Sequence, residues 1–148
     1  MIVTPQNQKE YLVLAGFLQN YAGVQFSNDL RLIGWVVDDQ IHLVVGLNGF
    51  IGKVCQMHVA MAPGHEFSPR AMLDFVFKTA FITLDCWKVL GVVNSNNVKA
   101  MKYDLHLGFR EVLRFPRMHD DGGDIVLLEM NADECKYIQM LDVPMEVA

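Results

Sequence analysis

Two stretches of the chain carry side chains suited to chemistry, and the first is KVCQMHVAM, residues 53–61. His58 lies in the middle of this extended, apolar run, and an imidazole with a reference pKa of about 6.5 suits general-base chemistry at neutral pH. Alternate residues of a strand share a face. The two sets are Gln56, His58 and Ala60, and Cys55, Met57, Val59 and Met61. A histidine that only packs in the core is the open alternative.

The second stretch is NSNNVKAMKYDLHLGF, residues 94–109, which reads as a helix with asparagines before it and Gly108 at its end. At about 100° per residue, helical periodicity predicts three stripes. They are Asn97, Ala100, Asp104 and Gly108 at the rim of the sheet; Val98, Met101 and Leu105 on the core; and Lys99, Lys102 and His106 in solvent. Asn97 is therefore a helix cap, a ligand-binding residue or both.

Between these stretches, the loop APGHEFSP (62–69) precedes an apolar helix. Ser68 is the expected cap and Pro69 the expected first helical residue, since proline has no N–H to leave unpaired. Unpaired N–H groups and a partial positive charge make a helix N-terminus suitable for a phosphate. Arg70 would add a charge-assisted hydrogen bond. An ordinary helix start with a solvated arginine is the alternative.

Apolar periodicity and turn residues predict the elements that position these groups. Helices are predicted at 6–20, at 69–85, within 94–109 and in the tail at 131–141; strands are predicted at 30–37, 41–47, 53–61, 88–93, 109–118 and 124–130. Asp38-Asp39-Gln40 and Asn48-Gly49 are predicted to form hairpin turns. The helix at 69–85 is apolar on nearly every side, which predicts that more than one of its faces is covered.

The order strand, helix, strand between residues 53 and 93 indicates a βαβ crossover, so its two strands are expected to be parallel. The other strands are expected to be antiparallel. We therefore predict an α+β (α/β three-layer) fold in one domain, 1–148. Its mixed sheet would be mostly antiparallel, with a central parallel pair and helices on both faces.

Composition narrows the range of partners. The 148 residues carry a formal net charge of −5, which argues against nucleic-acid binding. The three cysteines and five histidines lack disulfide or metal-ligand spacing, so we expect reduced thiols, no metal and a cytoplasmic location. Neither a signal peptide nor an apolar run of roughly 20 residues is seen, so no membrane partner is expected. A hydrophobic content of 52% leaves a homodimer open.

The order of elements, together with residues 94–130, resembles the GNAT family of N-acetyltransferases. The fourth helix of that family has an asparagine, an alanine three residues later and a Gly-Phe pair eight residues after the alanine. The matching residues here are Asn97, Ala100 and Gly108-Phe109, and a final strand led by Asp124 follows. The segment EFSPRAMLDFVFKTAF (66–81) is similar to the phage and bacterial branch of the family.

The resemblance implies direct acetyl transfer from acetyl-coenzyme A to the primary amine of a small-molecule or peptide acceptor. His58 would be the base. Asp104, which stands where the family often has a tyrosine, or the adjacent Tyr103 would serve the departing thiolate. Backbone N–H groups after a strand bulge near Val59, Ala60 and Met61 would polarise the thioester. The other residues implied to hold the cofactor are Gly64, His65, Ser68, Arg70, Ala71, Asn97 and Ala100.

Two alternatives to this function stay open, one from departures from the family pattern and one from the sequence of a hairpin. Phe67 and Pro69 stand where the family has glycines around the pyrophosphate, and the usual tyrosine is missing. This favours a GNAT-fold binding or dimerisation module with weak or no catalysis. The hairpin LRFPRMHDDGGDIVLLEM (113–130) is similar to acetyltransferases of the ribosomal-protein type, whose acceptor is a protein N-terminus.

Overall fold

The computed structural model describes residues 1–138 and shows seven strands and three α-helices in that range. The strands are β1 (Ile2–Val3), β2 (Arg31–Val37), β3 (Gln40–Ile51), β4 (Val54–Met61), β5 (Lys88–Asn94), β6 (Arg110–Phe115) and β7 (Ile125–Asn131). The helices are α1 (Gln8–Ala22), α2 (Arg70–Lys78) and α3 (Val98–Leu107); a π-helical turn (Thr79–Thr83) extends α2, and a 3₁₀ turn (Ala132–Glu134) follows β7.

All seven strands form one sheet in the order β1-β2-β3-β4-β5-β7-β6. β4 and β5 are parallel, and every other pair of neighbours is antiparallel. The α+β prediction with a central parallel pair is therefore confirmed. Within the described residues, no helix is both long and apolar enough to cross a membrane.

The helices cover the two faces of the sheet unequally. Leu14 and Leu18 of α1 pack on a cluster from β2, β3 and β4. The opposite face holds the larger core, to which α2 contributes Met72 and Phe77 and α3 contributes Leu107. Helices thus lie on both faces as predicted, but α1 does not extend over the β5-β7-β6 end of its face, where Val92 is 52% exposed.

The parallel strands separate soon after they meet. β4 and β5 pair only at Val54–Gln56 with Lys88–Leu90. Beyond that point β4 continues to Met61 beside β3, and β5 continues to Asn94 beside β7. A gap therefore opens in the centre of the sheet toward the C-terminal ends of both strands, and α2 and α3 each follow one of these ends.

The turn predictions had mixed outcomes. Asp38 and Asp39 form a tight turn between β2 and β3, with φ angles of 50° and 61°, as predicted. The hairpin at Asn48-Gly49 is wrong, because β3 continues through both residues to Ile51 and the chain reverses at 52–53. Gly49 instead adopts a φ of 64° in a bulge, where the register with β4 shifts. Asn-Gly tolerates the left-handed conformation of a bulge as readily as that of a turn.

The helix predicted at 69–85 is shorter and more one-sided than expected. Its α-helical part begins at Arg70 with Pro69 as N-cap, and no side chain caps it, so the predicted Ser68 cap is wrong. The Ser68 hydroxyl is instead hydrogen-bonded to Tyr103. Phe75 is 39% exposed, so the expectation of cover on several faces fails for the α-helical turns.

The stripes predicted on α3 are rotated. Val98 and Leu105, predicted on the core, are 57% and 48% exposed, whereas Met101 of the same predicted stripe does pack against the core. The face turned toward the sheet instead contains Ala100, Tyr103 and Leu107, with Asp104 beside them. A helical wheel gives the spacing of the stripes, but which stripe is buried depends on how the helix is docked.

The ends of the chain complete the corrections. The two-residue strand β1, which pairs with β2, was missed because so short a run has no periodicity. Of the tail helix predicted at 131–141, only the 3₁₀ turn Ala132–Glu134 is helical among the described residues. Residues 139–141 of that prediction lie outside the described range.

Candidate active site

A cleft of about 440 Å³ occupies the gap between the separating strands. One wall is β4, the other is β5 with α3 over it, and the C-terminal end of α1 contributes Tyr21. Residues from both faces of β4 reach the cleft, among them His58 and Val59, because the gap passes through the sheet. The volume lies within the range of about 300–1,000 Å³ common for small-molecule sites.

His58 stands on the β4 wall, with its Nε2 atom 2.7 Å from Oδ1 of Asn48. Burial lowers the pKa of this imidazole from its ordinary value, since desolvation penalises the charged form. A neutral imidazole at pH 7 is the form that can take up a proton.

The neighbours of His58 on β4 point alternately to the cleft and to the α1 side of the sheet. Val59 and Met61 line the cleft, but Ala60 packs into the α1 cluster and is 1% exposed. The bulge expected near these residues is absent, since β4 pairs with β3 without a register shift from Gln56 to Met61. In such a strand alternate N–H groups point away from the antiparallel neighbour, toward the gap left by β5.

Asp104 stands on the α3 wall and is half-buried. Burial raises the pKa of its carboxyl group to about 6. Its side chain has no hydrogen bond or ion pair within residues 1–138, and one oxygen would lie 3.7 Å from a Cβ added at Gly91 of β5. The carboxyl group therefore lies at ordinary contact distance from β5, between α3 and the sheet.

Tyr103 lies next to Asp104 and also lines the cleft. Its hydroxyl is 2.6 Å from the Ser68 hydroxyl, and burial raises the pKa of the phenol to about 12. The phenol therefore stays protonated near neutral pH. One of the two hydroxyls donates to the other, which leaves the second O–H free to donate to a ligand.

The asparagines before α3 form a rigid start for that helix. Asn97 caps it, accepting a hydrogen bond at Oδ1 from the N–H of Ala100 at 3.2 Å. Asn94 donates to Asp121 at 2.7 Å and accepts from the N–H of Asn96 at 3.0 Å. Asn94 and Asn97 line the cleft too. The cap reading of Asn97 is thus confirmed, and ligand contact stays a prediction.

The loop that joins β6 to β7 fits against these asparagines because it carries a glycine. A Cβ added at Gly123 would lie 2.1 Å from Oδ1 of Asn94. Ser95 adds a reciprocal pair of bonds, since its Oγ accepts from the N–H of Asp124 at 2.8 Å and its N–H donates to the carbonyl of Asp124 at 2.9 Å. Asn94 and Ser95 therefore bind this loop, while Asn97 caps the helix.

The residues predicted to hold phosphate lie outside the cleft lining. Gly64 is exposed with a φ of 79°, and His65 stacks on His42 with ring centres 3.8 Å apart. Arg70 donates to Asp74 at 2.8 Å and to the carbonyl of Lys136 at 3.0 Å, while Ala71 is exposed in the first turn of α2. The Arg70 guanidinium, which also lies 4.7 Å from the centre of the Tyr137 ring, is thus engaged within the protein.

Sequence patterns did not reveal several residues of the site. Lys99, predicted in solvent, lines the cleft together with the loop residue Glu66, and the two form an ion pair that joins the loop to α3. The C-terminal end of α1 leads to a second chamber of about 530 Å³, which His58 and Val92 also line. The remaining lining of this chamber is Ala22, Gly23, Val24, Gln25, Ser27, Asp29, Asn48, Gly49 and Gln56. No local spacing connects residues so distant in sequence.

The arrangement has the elements of a proton-transfer site. A neutral imidazole lies on one wall, and an un-ionised phenol and an elevated carboxyl pKa lie on the other. Groups whose environments move their pKa values in different directions are typical of acid–base catalysis. Among residues 1–138 no three His, Cys, Asp or Glu side chains cluster as a metal site would need.

Known structures give an independent comparison. No protein-family profile matches the sequence, and no curated protein matches it. Solved structures do match. A chimera of Vibrio cholerae spermidine N-acetyltransferase SpeG and hSSAT has a TM-score of 0.74 at 14% identity, over 94% of this chain and 99% of the other. The Vibrio cholerae spermidine N-acetyltransferase in complex with CoA and spermine has a TM-score of 0.71 at 13% identity, over 94% and 98%. This chain therefore has the GNAT fold of N-acetyltransferases.

Proposed function

We propose that this protein transfers an acetyl group from acetyl-coenzyme A to a primary amine by direct attack. The observation that carries the proposal is the cleft between β4 and β5, with His58 on one wall and Tyr103 and Asp104 on the other. The solved neighbours support it, since one of them binds CoA and spermine in the same fold.

Features of the cleft fit the cofactor. Ala100 presents only a methyl group where α3 borders the gap, which leaves width for a pantetheine arm. The N–H groups of β4 that face the gap suit the carbonyl oxygens of that arm and of the thioester. The start of α2 has no side-chain cap, so the N–H groups of Arg70 and Ala71 are open to the pyrophosphate, while the N–H of Met72 donates to the carbonyl of Pro69.

His58 serves as the general base. It removes a proton from the acceptor amine as the amine nitrogen bonds to the acetyl carbon, and the carbon–sulfur bond of the thioester breaks. The departing sulfur leaves as a thiolate. An un-ionised phenol with a pKa of about 12 suits Tyr103 to stabilise this thiolate by a hydrogen bond, with Ser68 fixing the orientation of the hydroxyl.

Asp104 has a different role in this scheme. With a pKa of about 6 it is mostly ionised at neutral pH, so it is a weak proton donor there. A half-buried carboxylate without a hydrogen-bond or ion-pair partner among the described residues attracts a cation. We assign to Asp104 the electrostatic attraction of the cationic amine into the cleft. There the ammonium group gives one proton to water, and the neutral amine gives its second proton to His58 as it attacks the thioester.

The acceptor is a small cationic amine in this proposal. The second chamber reaches His58 and has Asp29 but no lysine or arginine in its lining. Its serine, asparagine and glutamine side chains offer hydrogen bonds to a polar acceptor. Spermine in a solved neighbour belongs to this class, which makes polyamines the first acceptors to test.

The experiment is binding and turnover with acetyl-coenzyme A. Saturating cofactor at a hundred times its dissociation constant should raise the free energy of unfolding by about 2.7 kcal/mol. A panel of polyamines, other primary amines and peptides with free N-termini then identifies the acceptor through release of free thiol. Absence of any thermal shift at millimolar cofactor would contradict the proposal.

A matched pair of variants locates the cofactor. Ala100→Leu fills the cleft at α3 and should weaken acetyl-coenzyme A binding at least tenfold, as a side chain placed in the path of the pantetheine must. Lys102→Leu adds the same side chain on the exposed part of the same helix and should leave the affinity unchanged. Equal affinities in the two variants would place the cofactor elsewhere.

One observation favours the alternative that the protein is a binding module without catalysis. Arg70, the predicted phosphate ligand, is engaged by Asp74, Lys136 and Tyr137. A binding module of this fold would show cofactor binding without turnover, or neither. The thermal-shift and thiol-release measurements separate these outcomes.

The predictions of a homodimer and of a cytoplasmic location stay predictions. A dimer has an available surface, because Val92, Leu127 and Leu113 align across β5, β7 and β6 on the sheet face that α1 leaves open. Sedimentation of the protein and of Leu113→Lys tests it. A dimer that the charge converts to a monomer supports this surface.

A further inference from the structure

A chain of hydrogen bonds connects His58 to a carboxylate in the second chamber. Nε2 of His58 is 2.7 Å from Oδ1 of Asn48, and Nδ2 of Asn48 donates to Oγ of Ser27 at 3.2 Å. The Ser27 hydroxyl donates to Oδ1 of Asp29 at 2.8 Å. Asp29 is itself fixed, since its Oδ2 accepts the N–H of Phe50 at 3.0 Å.

The direction of every bond follows from the carboxylate at the end. Asp29 is an acceptor at its ionised oxygens, so the single proton of the Ser27 hydroxyl goes to it. The Ser27 oxygen is left as an acceptor, which requires the NH₂ group of Asn48 on that side. A rotated amide would place two acceptor oxygens against each other. Oδ1 of Asn48 must therefore face His58, where it accepts the proton on Nε2.

We propose that Asn48, oriented by Ser27 and Asp29, is a positioning residue that holds His58 in the tautomer with its proton on Nε2 and its lone pair on Nδ1. This inference rests on the acetyl transfer proposed above, and it adds that Nδ1, the nitrogen that keeps the lone pair, takes the proton of the amine. The strand bulge after Asn48 belongs to the device. With Gly49 in the left-handed region, Phe50 turns its N–H to Asp29 instead of to β4.

A neutral amide in this position differs from the carboxylate that often orients a catalytic histidine. An amide oxygen accepts the Nε2 proton but gives little extra stability to the imidazolium, so His58 stays a neutral base. The ionisable groups that share its two chambers are Asp29 and Tyr21, which follow or belong to α1, Tyr103, Asp104 and Lys99 on α3, and Glu66 in the loop. The pKa of His58 is lowered by burial, with no charged neighbour as a cause.

The first test reads His58 directly in the free protein. Long-range ¹H–¹⁵N NMR distinguishes the two tautomers of an imidazole, and loss of one signal set in His58→Gln assigns His58 among the five histidines. We expect the Nε2-protonated form. A predominant Nδ1-protonated form would overturn the proposal. This result does not depend on cofactor or turnover, so it stands even if the proposed acetyl transfer fails.

The second test replaces the amide by a carboxylate of the same shape. Asn48→Asp should raise the pKa of His58 by about one pH unit or more, because an adjacent negative charge favours the imidazolium. Asn28→Asp is the matched control, since it adds the same charge on the exposed side chain next to Ser27 and should leave the pKa in place. Equal shifts in both variants, or none in either, would overturn the positioning role.

The third test connects position to rate. With an acceptor in hand, the acidic limb of the kcat/KM profile should move to higher pH in Asn48→Asp by the same amount as the NMR pKa. Ser27→Ala leaves the amide free to rotate and should lower kcat several-fold with little change in KM. If the acidic limb of the kcat/KM profile stays at the same pH while the pKa of His58 measured by NMR rises, Asn48 does not act through a catalytic His58.

Discussion

The two helices that follow the two parallel strands begin in very different ways. α3 starts at Asn97, whose side chain caps it, and the asparagines before it bind the loop at 121–124. α2 starts at Pro69 without any side-chain cap, after a loop in which Phe67 is 72% exposed. α2 follows β4 and α3 follows β5, but of these two helices only α3 lines the cleft with its described residues.

The difference assigns distinct tasks to the two sides. The start of α3 is saturated by internal hydrogen bonds, so it holds Tyr103 and Asp104 at fixed positions. The start of α2 leaves the N–H groups of Arg70 and Ala71 open, and open N–H groups are what an anion needs. Only Ser68–Tyr103 and Glu66–Lys99 join the loop to α3 through side chains among the described residues. Stability should therefore depend more on the α3 side than on the α2 side.

The largest effect is expected at Asp104. Burial raises the pKa of this carboxyl group from its usual value of 3.8 to about 6. As the pH rises from 3.8 to 6, ionisation of Asp104 therefore lowers the stability of the folded state by a growing amount. Asp104→Asn should raise the free energy of unfolding by about 3 kcal/mol at pH 8 and change nothing below about pH 3.5. Denaturant unfolding at both pH values measures this, with the exposed Asp120→Asn as control. A destabilised variant at pH 8 would show that the carboxylate has a stabilising partner.

A smaller loss is expected at the loop that the asparagines hold. Gly123→Ala places a Cβ against Oδ1 of Asn94 and breaks the bonds of Asn94 to Asp121 and Asn96. We expect a loss of about 2 kcal/mol in unfolding free energy. Gly16→Ala on α1 meets no atom within 4 Å and should instead stabilise by about 0.5–1 kcal/mol. If both variants behaved alike, the packing of this loop would not matter.

The cap of α3 should contribute about half as much. Asn97→Ala removes the acceptor for the N–H of Ala100 and should cost about 1 kcal/mol in thermal or denaturant unfolding. Its acetyl-coenzyme A affinity, measured separately, tests the ligand contact predicted for Asn97. Weaker affinity at conditions where the protein is fully folded supports that contact, and unchanged affinity limits Asn97 to the cap.

The smallest effect is expected on the α2 side at Arg70. The Arg70 side chain is 64% exposed, and an exposed ion pair contributes little to the free energy of unfolding. Arg70→Ala should therefore change the melting temperature by no more than an exposed substitution such as Lys102→Ala. A fall in acetyl-coenzyme A affinity at unchanged melting temperature would support the prediction that Arg70 binds the pyrophosphate. A large fall in melting temperature would contradict the contrast between the two helix starts.

Much of the fold could be predicted from local patterns, because strands, helices and the parallel crossover depend on residues close in sequence. The wrong predictions concern residues whose conformation or burial is determined by tertiary contacts. Asn48-Gly49 has the composition of a hairpin turn, but Asp29 and Ser27, some 20 residues earlier, use it as a bulge. Val98 and Leu105 have the spacing of a buried stripe, but docking of α3 turned Tyr103 and Asp104 inward instead.

The candidate site shows the same division. The sequence by itself determined which residue types are present and where helices start and stop: a histidine within a strand, an asparagine cap on α3 and a glycine, Gly108, with a φ of 112° at its end. Only the tertiary structure decided that β4 and β5 separate after three pairs, that Asp104 is half-buried and that Asn48 contacts His58. Local conformation follows from short-range sterics and hydrogen bonds, whereas burial and the pKa values that result from it depend on side chains far apart in sequence.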